Sequence, residues 1–184
     1  MVLLERGTGL PLDLVVLINS FLYEKLTDEN FHEAIDLWFD DEEECKWRFG
    51  DMSFWNTSRV TNMDRSFSYR RGFNEDISRW SVGRVTNMSW MFGEANEFNR
   101  DIGGWDVSNV TYLYCMFAGA SQFNSDIGGW DVSNVTDMSY LFGGASHFNS
   151  DISRWDVSNV TNMSHMFYRA SHFNSDISQW DLRR

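Results

Sequence analysis

The chain is poor in the residues that announce the common functional classes. It has one proline and two cysteines in 184 residues, and no lysine after Lys46. Two cysteines, Cys45 and Cys115, do not make the disulfide framework of a small extracellular domain, and they are expected as free thiols in a reducing compartment. There is no basic stripe. The net charge is −12, and residues 1–50 alone carry twelve Asp/Glu against four Lys/Arg, so a nucleic-acid partner is not expected. Long apolar runs are also missing. The segment MVLLERGTGLPLDLVVLINSFL is interrupted by Arg6, Pro11 and Asp13, which leaves neither an export core nor a membrane span. These absences predict a cytoplasmic chain without a membrane partner. No P-loop, CxxC pair, Gly-rich dinucleotide turn or Ser/His/Asp spacing is present, so no enzymatic activity is expected.

What is present is repetition. Trp55, Trp80, Trp105, Trp130, Trp155 and Trp180 lie 25 residues apart with no insertion between them. Phe67, Phe92, Phe117, Phe142 and Phe167 keep the same step, as do the Phe-Asn pairs from Phe73-Asn74 to Phe173-Asn174. A fixed period in this range marks units that cannot bury an apolar face alone and stack on their neighbours. The aromatic columns are therefore read as core ladders rather than as a ligand box.

Within a unit, Val110, Leu113, Met116, Phe117 and Ala120 have the spacing of one helix face, and Asp126-Ile127 reads as a short strand beside a Gly128-Gly129 corner. An alternative places a second strand at Val-Thr-Asn-Met. The predicted fold class is α/β: a short right-handed leucine-rich-repeat-like solenoid over residues 51–184, five full coils and a partial last one. Residues 1–50 are predicted to form a helical cap. One helix follows Pro11, and a second starts after Thr27 with Phe31, Ala34, Ile35 and Trp38 on its apolar face.

The polar columns read as structural. The asparagines from Asn74 to Asn174 are expected to form an amide ladder, and the aspartates from Asp76 to Asp176 to cap turns. Calcium held by that aspartate column is the alternative, but no cofactor is expected. His147 and His172 share one column without an evident third metal ligand.

The pattern WDVSNVT-x-M-x-x-[ML]F-x-x-A-x-x-FNSDI resembles the BspA-like repeat family, in its 25-residue form labelled a domain of unknown function. That resemblance covers residues 51–184 and implies an interaction protein with no catalytic residues. Leu10, Pro11, Val15, Ile18 and Leu22 resemble the opening helix of an F-box, which implies a substrate adaptor of a ubiquitin ligase. Binding specificity is expected where the coils differ. The column Arg65, Trp90, Cys115, Tyr140, His165 falls between apolar helix positions and is read as outward, together with the set Tyr69-Arg70, Gly119 and Tyr168-Arg169 near the helix ends. Outward aromatics and arginines are the types enriched at binding hot spots. The expected function is a non-enzymatic protein-interaction scaffold using Arg65, Trp90, Tyr140, His165, Tyr168 and Arg169. A ligase adaptor and a calcium- or metal-stabilised sensor are the alternatives. The last coil is a further candidate for end-to-end self-association.

Overall fold

The computed structural model describes residues 22–182, together with residues 11 and 14. The F-box-like positions Leu10, Val15 and Ile18, and with them most of the expected first helix, lie outside the described residues. Two helices open the described part, α1 (Phe31–Asp40) and α2 (Glu42–Phe49), followed by a 3-10 turn at Met52–Phe54. Helix α1 buries Phe31, Ala34 and Ile35, the face expected from the spacing, although it starts after Asn30 rather than at Thr27. Helix α2 was not anticipated. Its acidic run supplies Asp41, whose carboxylate accepts the Glu44 N–H, and three glutamates in the first turn; Lys46 and Arg48 follow in the last. Each charge sits at the helix end that its sign favours.

From Trp55 onward the chain winds into 25-residue coils stacked in register. Residues one period apart are joined by hydrogen bonds: Thr86, Thr111, Thr136 and Thr161 each donate their N–H to the threonine carbonyl 25 residues earlier. The aromatic columns lie in file. Phe67, Phe92, Phe117, Phe142 and Phe167 stack at 5.6–5.8 Å, each also stacked on the second Phe of its own coil at 3.7–3.9 Å. Trp155 lies parallel to Trp130 and Trp180 at 6.5 Å.

The α/β reading is overturned. Among the described residues the coils contain neither helix nor strand, and β-type pairing appears only as isolated parallel bridges at Asn62, Asn87, Tyr112, Asp137 and Asn162. These fall at the Val-Thr-Asn-Met segment, not at Asp126-Ile127. A leucine-rich-repeat-like coil of helix plus strand is therefore excluded.

The reason is visible in the second coil. Met88, Trp90, Phe92 and Glu94 all donate their N–H groups to the next coil, at Tyr112, Tyr114, Met116 and Ala118. Met91, Gly93 and Ala95 between them bond back to the carbonyls of Met88, Trp90 and Phe92, three residues earlier. A run of turns results, reversed at every fourth residue by a left-handed conformation: φ is 58° at Trp90 and 61° at Glu94, then 54° at Cys115 and 73° at Gly119. Consecutive turns of this kind reproduce the helical spacing of the apolar residues, which is why the pattern imitates a helix. The glycines that need freedom are Gly119 and Gly144, at positive φ. Gly128 instead makes room, because a Cβ there would lie 2.2 Å from the Asp151 carbonyl oxygen of the next coil.

Side chains complete the stacking. The indole N–H of each repeat Trp from Trp80 to Trp180 donates to a backbone carbonyl 28 residues earlier, at 2.9–3.3 Å. The Trp column is thus both an apolar ladder and a line of buried polar ties. Trp105→Phe keeps an aromatic ring but loses the indole tie, leaving the Ile77 carbonyl with the Trp80 N–H alone, and with the smaller ring is expected to cost about 1–3 kcal/mol in urea unfolding. The asparagine column works differently from an amide ladder: each Oδ1 from Asn74 to Asn149 accepts the backbone N–H of the next Asn, at 2.7–3.1 Å. The aspartates cap their own turns, as Asp101 does for Gly103 and Asp126 for Gly128.

Hydrogen bonds from the serine two residues on hold Asp106, Asp151, Asp156 and Asp176 below the ordinary carboxylate value of 3.8. A depressed folded value means stability that is present above 3.8 and is lost as pH falls through the depressed range. The melting temperature is expected to fall on acidification below about pH 4, and serine-to-alanine changes at Ser108 and Ser158 should lower it at neutral pH and make its fall in acid shallower.

The first coil has no coil beneath it, and the polypeptide around α1 takes that place. Asp28 accepts the N–H and hydroxyl of Thr61 and the N–H of Asn62, standing in for the missing threonine carbonyl. Four residues on, the His32 ring donates through Nε2 to the Asp64 carbonyl at 2.7 Å, where later coils receive a backbone N–H. At the other end the last described coil is open: Phe167 and Phe173 are half-buried, whereas Phe117 and Phe123 are fully buried. The backbone N–H groups of His165 and Phe167 there donate to nothing among the described residues.

Candidate functional site

The left-handed residues decide what the coils display. A residue at positive φ turns its side chain out of the run of turns, and two such columns stand side by side. One is Arg65, Trp90, Cys115, Tyr140 and His165; the other is Tyr69, Glu94, Gly119, Gly144 and Arg169. The first is the column expected to vary on the surface, but for another reason than the helix spacing that suggested it. For bulky L-residues this conformation costs about 1–2 kcal/mol each. The backbone bonds to the next coil offset that cost.

Where the two columns face one another in the middle coils they enclose a surface groove of about 510 Å³. Its floor is small, formed by Ala118, Gly119, Gly143 and Gly144. Trp90, Tyr114 and Tyr140 wall one side, with Cys115 between them; Glu94 closes one end and Tyr168-Arg169 the other. The walls are braced. Tyr69 stacks on Trp90 at 6.3 Å, Tyr114 meets Trp90 edge-on at 6.0 Å, and His165 stacks on Tyr140 at 4.7 Å. The Arg169 guanidinium lies 5.1 Å from the Tyr168 ring centre. Glu94 folds its carboxylate over Gly119, where a Cβ would approach it to 2.6 Å. Hydrogen bonding to Cys115 is the main cause that pushes the Tyr114 phenol up, and burial pushes the Cys115 thiol up.

Of the six residues singled out from the sequence, Trp90, Tyr140, Tyr168 and Arg169 line the groove. His165 backs it, 5.8 Å from the Tyr168 ring. Arg65 does not belong: it is exposed, 3.7 Å from the carboxylate of its own neighbour Asp64. Cys115, expected outward with its column, is buried at 3% exposure. Gly119, read as outward from the sequence, lies in the floor, whereas Glu94, Tyr114, Gly143 and Gly144 were missed. Glu94 was within reach, since it lies 25 residues from both Tyr69 and Gly119.

Other candidate chemistry is engaged in structure. His147 and His172 stack at 5.2 Å, and each turns Nδ1 to a carbonyl of the preceding coil, at Ser121 and Ser146. Among the described residues no three His, Cys, Asp or Glu side chains converge as a metal site would require. Both cysteines are free and buried; burial pushes the Cys45 thiol up to about 12. No helix among the described residues is long and apolar enough to cross a membrane.

No curated protein and no solved structure matches this chain. Residues 33–133 and 105–184 match the repeat family described as "Mycoplasma protein of unknown function, DUF285", and these two overlapping matches run from within α1 through every coil. The chain belongs to that family.

Proposed function

We propose that this chain is a non-enzymatic interaction scaffold that holds an extended segment of a partner protein along the groove between the two left-handed columns. The observation that carries this reading is the convergence of Trp90, Tyr140, Tyr168 and Arg169 on one recess with a glycine floor. Those side-chain types supply large contact area at small entropic cost, and the stacked coils hold them rigidly. The repeat's resemblance to BspA-like proteins, many of which serve in interaction, agrees with it.

Panning a random dodecapeptide display library against the full chain tests the proposal. Enriched peptides are expected to compete with one another and to lose binding at least ten-fold to Tyr140→Ala, while Arg65→Ala binds them as the parent does. Enriched peptides indifferent to Tyr140 and Tyr168 would overturn the groove as the binding site.

A further inference from the structure

The groove has a direction. Glu94 and Arg169 are the same position of the repeat three coils apart, and neither makes an ion pair among the described residues. Backbone-paired coils lie about 4.8 Å apart, so the two charges are separated by roughly 15 Å, the reach of about four to five residues of extended peptide. Both belong to the lining, one at each end. The aromatic column between them lacks one member: Trp90 and Tyr140 are rings, but the intervening position is the buried Cys115. Two coil steps, about 10 Å, separate those rings. That coil presents Tyr114 to the groove instead, edge-on to Trp90 at 6.0 Å, and a partner's ring has that wall and the Ala118-Gly119 floor of the same coil to pack on.

From this geometry, and resting on the interaction reading above, we infer that the partner is an extended peptide segment carrying one aromatic ring, a basic side chain on its Glu94 side and a carboxylate on its Arg169 side. The ring packs beside Tyr114 in the coil of Cys115. That place is one coil from Glu94 and two from Arg169, so the basic residue stands one or two positions from the ring and the acidic residue about three. The asymmetry makes the recognition readable. A carbohydrate would use the same aromatic walls, but it offers no paired opposite charges for these two side chains.

Two labelled synthetic peptides test it against the full chain by fluorescence anisotropy. Both contain arginine, one glycine, tryptophan, two glycines and aspartate, one in that order and one in the reverse chain direction. At least one is expected to bind more than ten-fold tighter than the peptide with arginine and aspartate exchanged. Glu94→Lys and Arg169→Glu should each weaken it ten-fold or more, and the double variant should prefer the exchanged peptide. Glu94→Gln and Arg169→Gln, checked for unchanged melting temperature, separate lost charge from lost fold. Equal binding of the original and exchanged peptides, or no binding of any, would overturn the charge order. If library-selected peptides still bind through Tyr140 and Tyr168 in that case, the interaction reading survives while this inference does not.

Discussion

Phe117→Ala is expected to destabilise the chain by about 3–5 kcal/mol, read from the urea midpoint. Phe117 is fully buried in a central coil. It stacks on Phe123 at 3.8 Å within its own coil, on Phe92 at 5.6 Å and Phe142 at 5.8 Å in the flanking coils, and lies 6.3 Å from Trp130. Removing the ring opens a cavity at two interfaces, and stacked rings of fixed spacing cannot close over it without shifting backbone bonds on both sides. The equivalent Phe167 is the internal control. It is half-buried and has a stacked ring on only one side, so Phe167→Ala should cost markedly less. Equal losses at the two positions would mean that stability is not carried between neighbouring coils as a stack requires.

Removing Phe31 should have an effect of the same order, for a different reason. Phe31 opens α1, is fully buried, and meets the Trp80 ring edge-on at 5.6 Å. The same helix turns Phe39 edge-on to Phe67 and Phe73, at 6.4 and 6.1 Å. Phe31→Ala would leave that end of the ladder partly uncovered and loosen the neighbouring Asp28 and His32 bonds to the first coil. The expected loss is about 3–5 kcal/mol, with amide exchange accelerated at Thr61 and Asn62 more than at Thr136 in a central coil. Trp47→Ala in α2, with 60% of its surface exposed, should change stability by no more than about 0.5 kcal/mol. A uniform acceleration along all coils would show that α1 does not protect the first coil in particular.

The two ends of the stack illustrate one polarity. Four N–H groups per coil donate toward the C-terminal neighbour, while the threonine N–H and the Trp indole reach back. A piece that covers the first coil must therefore offer both an acceptor and a donor. Asp28, before α1, and His32, in its first turn, do so four residues apart, a function invisible in a sequence where each looks like an ordinary surface residue.

Much of the order was legible in the amino-acid sequence. A strict 25-residue recurrence of Trp, Phe, Val and Asn can be satisfied only if equivalent residues meet, because ring faces and amide groups of one unit need partners that the unit itself lacks. The sequence alone therefore determined the in-register files of Phe and Trp and the buried face of α1. It did not determine how the backbone travels within a coil. Apolar residues at i and i+3 suit a helix and a run of reversed turns equally well, and only pairing with the next coil selects the turns by taking the N–H groups that a helix would use. That choice placed Trp90, Glu94, Tyr140 and Arg169 at left-handed positions and buried Cys115 between rings. The groove exists because two successive coils bring glycines to one side and four bring aromatics around them, a juxtaposition decided by the tertiary structure.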